Sequence, residues 1–191
     1  ENALLVGFTV ATYEVPSAYE ITKYIKAHSN VPVLWGGIHP TLYPEQTIAN
    51  KHIDYIVVNE GEETITELAK RLQNNESVED INGLGFKKDG KAKVNPIGPL
   101  INVEDLPMPN FDLMNFKEFL SVSEYPTIVY ESSRGCPYQC TFCWIVVVEG
   151  RRTYRPKSAK KIVDELEYLT KKYNVHNVSF SDDNFFVNKQ R

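Results

Sequence analysis

No stretch of this 191-residue sequence is apolar for long enough to cross a bilayer, and no signal-peptide pattern opens it. An excess of positive charge is also missing. Lysine and arginine number 21 against 25 acidic residues, a net charge of −4, which argues against nucleic-acid binding through bulk electrostatics. Cysteine is scarce, with only three in the chain. An odd number of clustered cysteines is not a disulfide framework, and a reducing cytoplasm is the natural compartment for it. Internal repeats and low-complexity tracts are absent. What remains is a globular composition, 42% hydrophobic and 24% charged. It suits one ordinary domain, or one and part of a second. The chain begins at Glu1 without a methionine and stops at Arg191 in what reads as the opening of a helix, so a fragment of a longer protein is expected.

The first stretch alternates strand and helix. Strands are expected over Ala3–Val10, Val31–Trp35 and Ile53–Val58. Ser17–His28 is an amphipathic helix with Ala18, Ile21, Tyr24 and Ile25 at helical spacing. Pro44–Lys51 is a short helix, and Thr64–Leu72 another with Ile65, Leu68, Ala69 and Leu72 on one face. Strands separated by helices imply a parallel sheet covered on both sides. Ligands on such sheets bind at the carboxyl ends of the strands, here Thr9, Gly36 to Pro40 and Asn59 to Glu62. Leu84–Lys88 and Lys91–Val94 flank Asp89-Gly90, a hairpin signal. The proline-dense segment from Pro96 to Phe111 reads as an extended linker. Beyond it, Thr127–Glu131 is a buried strand, Ser158 caps a helix running to Tyr173, and Val175–Phe180 is the next strand. The inner face of that helix is read as Ala159, Ile162, Val163, Leu166 and Leu169. Domains are therefore expected over 1–95 and 125–191, joined by a linker over 96–124. A complete barrel takes roughly 250 residues, so the last stretch supplies only the first part of one.

The three cysteines fall in one eight-residue run, Cys136-Pro137-Tyr138-Gln139-Cys140-Thr141-Phe142-Cys143. Three thiolates at this spacing suit three irons of a cubane cluster and leave the fourth iron open. Zinc sites usually use four ligands in two close pairs, and no second pair exists here. His176 has the right chemistry for a fourth zinc ligand but begins a strand, far from that strand's carboxyl end. Three ordinary buried cysteines would scatter rather than crowd into a loop with Arg134, Gly135 and Pro137.

The run from Ser133 to Cys143, Ser-Arg-Gly-Cys-Pro-Tyr-Gln-Cys-Thr-Phe-Cys, closely resembles the cluster loop of radical S-adenosylmethionine (SAM) enzymes. The resemblance implies that Cys136, Cys140 and Cys143 ligate a 4Fe–4S cluster whose open iron chelates the methionine moiety of SAM. One electron then cleaves the sulfonium bond and gives a 5′-deoxyadenosyl radical. An external reductant such as flavodoxin or ferredoxin is implied as a partner. Phe142 matches the family's aromatic position beside the adenine, though packing in the core is an equally simple role. Asp182 and Asp183 stand at the end of the second strand, where the family places acceptors for the bound amino group. A helix cap by Asp183 or Asn184 is the alternative. Arg152 and Arg155 are candidates to meet a substrate or cofactor carboxylate, or to lie on an exposed face.

Three segments of the first stretch resemble the cobalamin-binding domain that precedes the radical module in one branch of this family. They are Leu5 to Thr9, Trp35 to Thr41 and Val58 to Glu63. The resemblance implies cobalamin contacts at Thr9, Gly36, Gly37 and Gly61. Gly36 and Gly37 lack a Cβ that would hinder close approach of a ligand, and Gly61 precedes a helix N-terminus. The family's Asp-x-His-x-x-Gly cobalt-ligand loop is absent, and would lie upstream of Glu1. His39 is a conceivable cobalt ligand or a loop-packing residue.

The implied fold is a doubly wound, flavodoxin-like α/β domain followed by the start of a partial (β/α) barrel. The implied function is a cobalamin-dependent radical SAM enzyme that transfers methyl groups or forms rings on a small-molecule substrate. The rivals are a first domain that has lost the corrin, a carrier without chemistry, and a zinc-stabilised interaction module.

Overall fold

The computed structural model describes residues 3–146, 148 and 153–188. The chain divides into two compact units, Glu1–Leu100 and Ile101–Arg191.

The first unit is built on strands β1 (Val6–Thr9), β2 (Val33–Gly36), β3 (Tyr55–Val57), β4 (Leu84–Lys88) and β5 (Lys91–Val94). They form one sheet in that order. β1, β2 and β3 are parallel; β4 and β5 add an antiparallel hairpin at the β3 edge. The hairpin turns at Asp89 and Gly90, which take φ of 51° and 74°. Positive φ at both central residues is what a two-residue hairpin with right-handed twist requires.

Helices α1 (Val15–His28), α2 (Ile38–Leu42), α3 (Pro44–Ile48) and α4 (Glu62–Asn74) make the crossovers. Alternation along each strand divides the core in two. Val33, Trp35 and Ile56 pack with Ala18 of α1 and Ile48 of α3. Leu34, Val57 and Leu84 pack with Leu68 of α4 on the other face. Helices therefore cover both faces of the sheet, as a doubly wound fold requires.

The buried stripe of α1 differs from the apolar spacing read in the sequence. Ile21 and Tyr24 are exposed, and Thr22 is fully buried beside Ala18. The Trp35 indole decides this: its Nε1–H donates to Thr22 Oγ1 at 2.9 Å, both groups buried. A buried indole N–H needs an acceptor, and a hydroxyl on the helix supplies one.

The second unit contains β6 (Thr127–Tyr130), helix α6 (Ala159–Tyr173) and β9 (Asn177–Phe180), with β6 and β9 parallel. Between them, β7 (Ser133–Arg134) and β8 (Arg155–Pro156) form a short antiparallel ladder. Ser158 caps α6 by accepting from Lys161 N–H, and Asn174 closes it in the left-handed region. The buried stripe is Ile162, Glu165, Leu169 and Tyr173; Val163 and Ala159, expected inside, are exposed.

The expectation of a linker over 96–124 gives way after Leu100. Phe116–Ser121 is a helix, α5, and Phe116 and Leu120 lie in the core of the second unit. Phe111 stacks on Phe116 at 4.5 Å, and Phe116 meets Tyr173 edge-on at 5.0 Å. Ahead of them, the Glu104 carboxylate accepts from Ser158 N–H at 2.6 Å and Ser158 Oγ at 2.8 Å. Arg155 donates to the Ile101 carbonyl at 2.6 Å. Proline density predicts extension, but the aromatic residues after it bury more area than a free linker tolerates.

Gly85 sits opposite Ile56, and a Cβ there would lie 2.4 Å from Ile56 Cγ1. Gly85→Ala is expected to cost about 1–3 kcal/mol through overpacking. Chemical denaturation followed at buried Trp35 checks this, with the open position Gly7→Ala as control. The Ser158 donors hold the Glu104 carboxyl below its ordinary pKa. Its stabilisation is therefore present above the ordinary carboxylate range and is lost as pH falls through the lowered value. The difference in Tm between the native chain and Glu104→Gln should be largest near neutral pH and vanish in acid.

Candidate functional site

In both units the candidate residues lie where parallel strands end. β1 and β2 finish in register at Thr9 and Gly36. Thr9 is exposed at that edge. Gly37 follows with φ of 94°, a conformation L side chains rarely adopt. A Cβ on Gly37 would stand 2.9 Å from Val10 N and 3.1 Å from Thr9 Cγ2. The glycine is thus required by backbone crossing backbone, a different reason from ligand approach. Gly36 has only ordinary contacts at its Cβ position, the nearest at 3.9 Å.

Thr41 joins two of the strand-end loops, which the sequence reading did not foresee. Its hydroxyl donates to the Gly37 carbonyl at 2.8 Å and accepts from Asn59 N–H at 2.9 Å. Asn59 takes a φ of 71° as the chain leaves β3. His39 Nδ1 lies 3.4 Å from Thr12 Oγ1, its ring is 5.5 Å from that of Tyr43, and burial lowers its pKa. Gly61 is the N-cap of α4 and gives it no side-chain cap. Glu62 and Glu63 occupy the first turn. Two carboxylates there complement the helix dipole.

In the second unit the cysteine loop leaves the carboxyl end of β6. Its base is closed by β7 pairing with β8, and Lys157 N–H donates to the Ser132 carbonyl at 2.9 Å. Gly135, with φ of 82°, turns the chain into Cys136. All three cysteines are free; Cys140 is exposed and the other two half-buried. Cys143 N–H donates to the Cys140 carbonyl at 3.0 Å, bending the loop between them. Among the described residues, no three His, Cys, Asp or Glu side chains are gathered closely enough to hold a metal ion. The donor set nonetheless fits a cluster. It consists of three accessible thiols on one short segment that has no helical or sheet structure from Gly135 to Cys140. Thiolate sites usually close around the metal that links them.

Phe142 is 91% exposed, which rules out core packing and leaves its ring free beside the loop. Asp182 and Asp183 both reach the cysteine loop from the end of β9. Asp182 accepts from Ser132 and Ser133, and Asp183 Oδ2 accepts from Gly135 N–H at 2.8 Å. Among the described residues neither caps a helix; Asn184 receives Phe186 N–H at 3.2 Å in a local turn. Arg155 is drawn to the Ile101 carbonyl, and Arg152 lies outside the described residues. His176 is exposed next to the amino end of β9, at the opposite end of the strand from the loop.

Beneath the site is a buried polar network that was not anticipated. Tyr130 OH donates to Glu165 Oε2 at 2.6 Å, and Lys157 Nζ donates to the same oxygen at 2.9 Å. Tyr130, Lys157 and Glu165 are all buried. A glutamate on the apolar stripe of α6 was the one signal for it in the sequence.

Comparison with known proteins follows the same division. Residues 1–69 match the B12 binding domain family, and residues 130–191 match the radical SAM superfamily. The chain carries a B12-binding domain ahead of a radical SAM domain. It is 36% identical over 190 residues to an uncharacterized methyltransferase of Pyrococcus horikoshii, covering 98% of this chain and 41% of that protein. It is 27% identical to an anaerobic magnesium-protoporphyrin IX monomethyl ester cyclase of Synechocystis, covering 97% of this chain and 37% of the relative. The cobalamin-dependent SAM radical enzyme OxsB, solved with aqua-cobalamin and SAM bound, superposes with a TM-score of 0.79. The match is 25% identical and covers 95% of this chain and 26% of OxsB. The chain thus spans less than half the length of these relatives.

Lys157→Met should destabilise the second unit by about 1–3 kcal/mol, because Glu165 loses its buried charged donor and keeps only Tyr130 OH and the more distant Lys161 at 3.7 Å. Adding Glu165→Leu should restore most of that loss. Denaturation monitored at Trp144 checks both.

Proposed function

We propose that the protein is a cobalamin-dependent radical SAM enzyme that acts on a small-molecule substrate by methyl transfer or ring formation. Cys136, Cys140 and Cys143 would hold a 4Fe–4S cluster, which supplies the electron for reductive cleavage of SAM. Phe142 would lie against the adenine, and the acidic end of β9 would receive the amino group. Thr9, Gly36, Gly37 and Gly61 would line the corrin side of the first unit. A cytoplasmic setting and a flavodoxin- or ferredoxin-like reductant complete the reading.

The observation that most directly supports it is the meeting of the base of the cysteine loop and the Asp182-Asp183 pair at one sheet edge, through contacts 48 and 50 residues apart in sequence. The corrin has a specific competing reading. Gly37 is accounted for by its contact with Val10, so a first unit that keeps the fold without the ligand explains that glycine equally well.

Anaerobic reconstitution with iron and sulfide tests the radical half. Brown colour, visible cluster absorption and a reduced-state paramagnetic resonance signal that shifts on adding SAM are expected. Stoichiometric zinc with no such signal would sink it. Cys140→Ala should abolish cluster loading; an unchanged iron content would remove that ligand from the set. For the corrin, the chain is mixed with hydroxocobalamin and desalted. Retained corrin supports the full reading, and colourless protein favours a first unit without the ligand.

A further inference from the structure

Asp182 and Asp183 are adjacent in sequence and reach the same loop, yet their surroundings divide them. Four donors converge on Asp182. Ser132 N–H reaches Oδ1 at 2.9 Å, Ser132 Oγ reaches Oδ2 at 2.6 Å, and Ser133 Oγ reaches Oδ1 at 3.0 Å. Ser133 N–H also donates to Oδ1. Ser132 and Ser133 are 0% and 2% exposed. Three of these donors share Oδ1 and one takes Oδ2, so the carboxylate is tied to both serines through both of its oxygens. Removing the carboxylate would leave the amides and hydroxyls of two buried serines in search of acceptors. Asp183 is exposed, and it holds Gly135 N–H through Oδ2.

We propose that Asp182 is a positioning residue that latches the Ser132-Ser133 turn and so sets where Cys136 is presented. The assignment rests on the radical SAM reading above. Its physical content is that the end of β9 and the exit of β6 are joined by side chain as well as by the ladder. Ser132 and Ser133 stand four and three residues before Cys136. Holding both of their amides and both of their hydroxyls sets the direction in which the chain enters the cysteine loop.

The test combines amide exchange on the chain before loading with cluster retention and SAM binding after reconstitution. In Asp182→Ala the amides of Ser132 and Ser133 should exchange at least about tenfold faster, and a chelator should strip iron faster. Asp182→Asn keeps an acceptor oxygen for both amides. It should restore much of their protection and hold SAM affinity within about threefold of the native chain. Asp183→Asn should leave those two amides protected, because both donate to Asp182. Unchanged exchange in Asp182→Ala overturns the latch. So does a tenfold loss of SAM affinity in Asp182→Asn with the loop amides still protected, since that marks Asp182 as the ammonium partner. If Asp182→Ala does not fold, Ser132→Ala removes one donor and leaves the carboxylate in place. Faster iron loss with native SAM affinity then supports the latch, and native iron retention overturns it. A native chain that loads no cluster refutes the radical SAM reading and the latch's role in it. A native chain that loads and binds SAM while the Asp182 variants fail these expectations refutes the latch alone.

Discussion

Parallel strands cannot be joined by a tight turn; each pair needs a crossover, and the crossover returns the chain so that both strands end on the same edge. That constraint operates twice here. In the first unit it brings the exits of β1 and β2 together at Thr9 and Gly36. In the second it brings the exit of β6, which opens the cysteine loop, against the exit of β9, which carries the acidic pair. The chemistry-bearing residues are adjacent because of how the backbone is connected. Their side chains then refine an arrangement already imposed on them.

The two edges are finished in different ways. In the first unit the closure is largely main chain: Val10 N–H donates to the Gly36 carbonyl, and His39 N–H donates to the Val10 carbonyl. Such close passage excludes a Cβ at Gly37. In the second unit side chains close the edge. The Asp182 carboxylate binds the turn, and the Tyr130–Glu165–Lys157 network is buried in the same unit. A buried ion pair adds little net stability against an apolar substitute, but it is costly to half-remove and so specifies one arrangement. Lys157 also donates its backbone N–H to Ser132, which couples that network to the turn the latch holds.

Much of this was legible in the sequence. Helix α6 with its Ser158 cap, the Asp89-Gly90 hairpin and the parallel pair flanking the cysteine loop follow from local spacing, capping and turn chemistry. Local patterns failed where long-range contacts outvoted them. Ile21 and Tyr24 look inward by periodicity, but the Trp35 indole needed Thr22 as its acceptor, and that turned the helix. The prolines after residue 95 suggest a free linker, but Phe116 finds Tyr173, more than fifty residues later. Asp182 and Asp183 are equivalent as letters, and only the partners around them separate their roles.

The sequence by itself determined the donor set and the order of elements. Three cysteines in eight residues define what can be ligated, and alternating strand and helix define a parallel architecture, because both are properties of neighbours along the chain. Tertiary structure alone decided which carboxylate is bound up by serines, which glycine is demanded by the backbone passing it, and that a lysine, a glutamate and a tyrosine are buried together. Those outcomes depend on desolvation and on donors brought from about eight to fifty residues away, which no local pattern encodes.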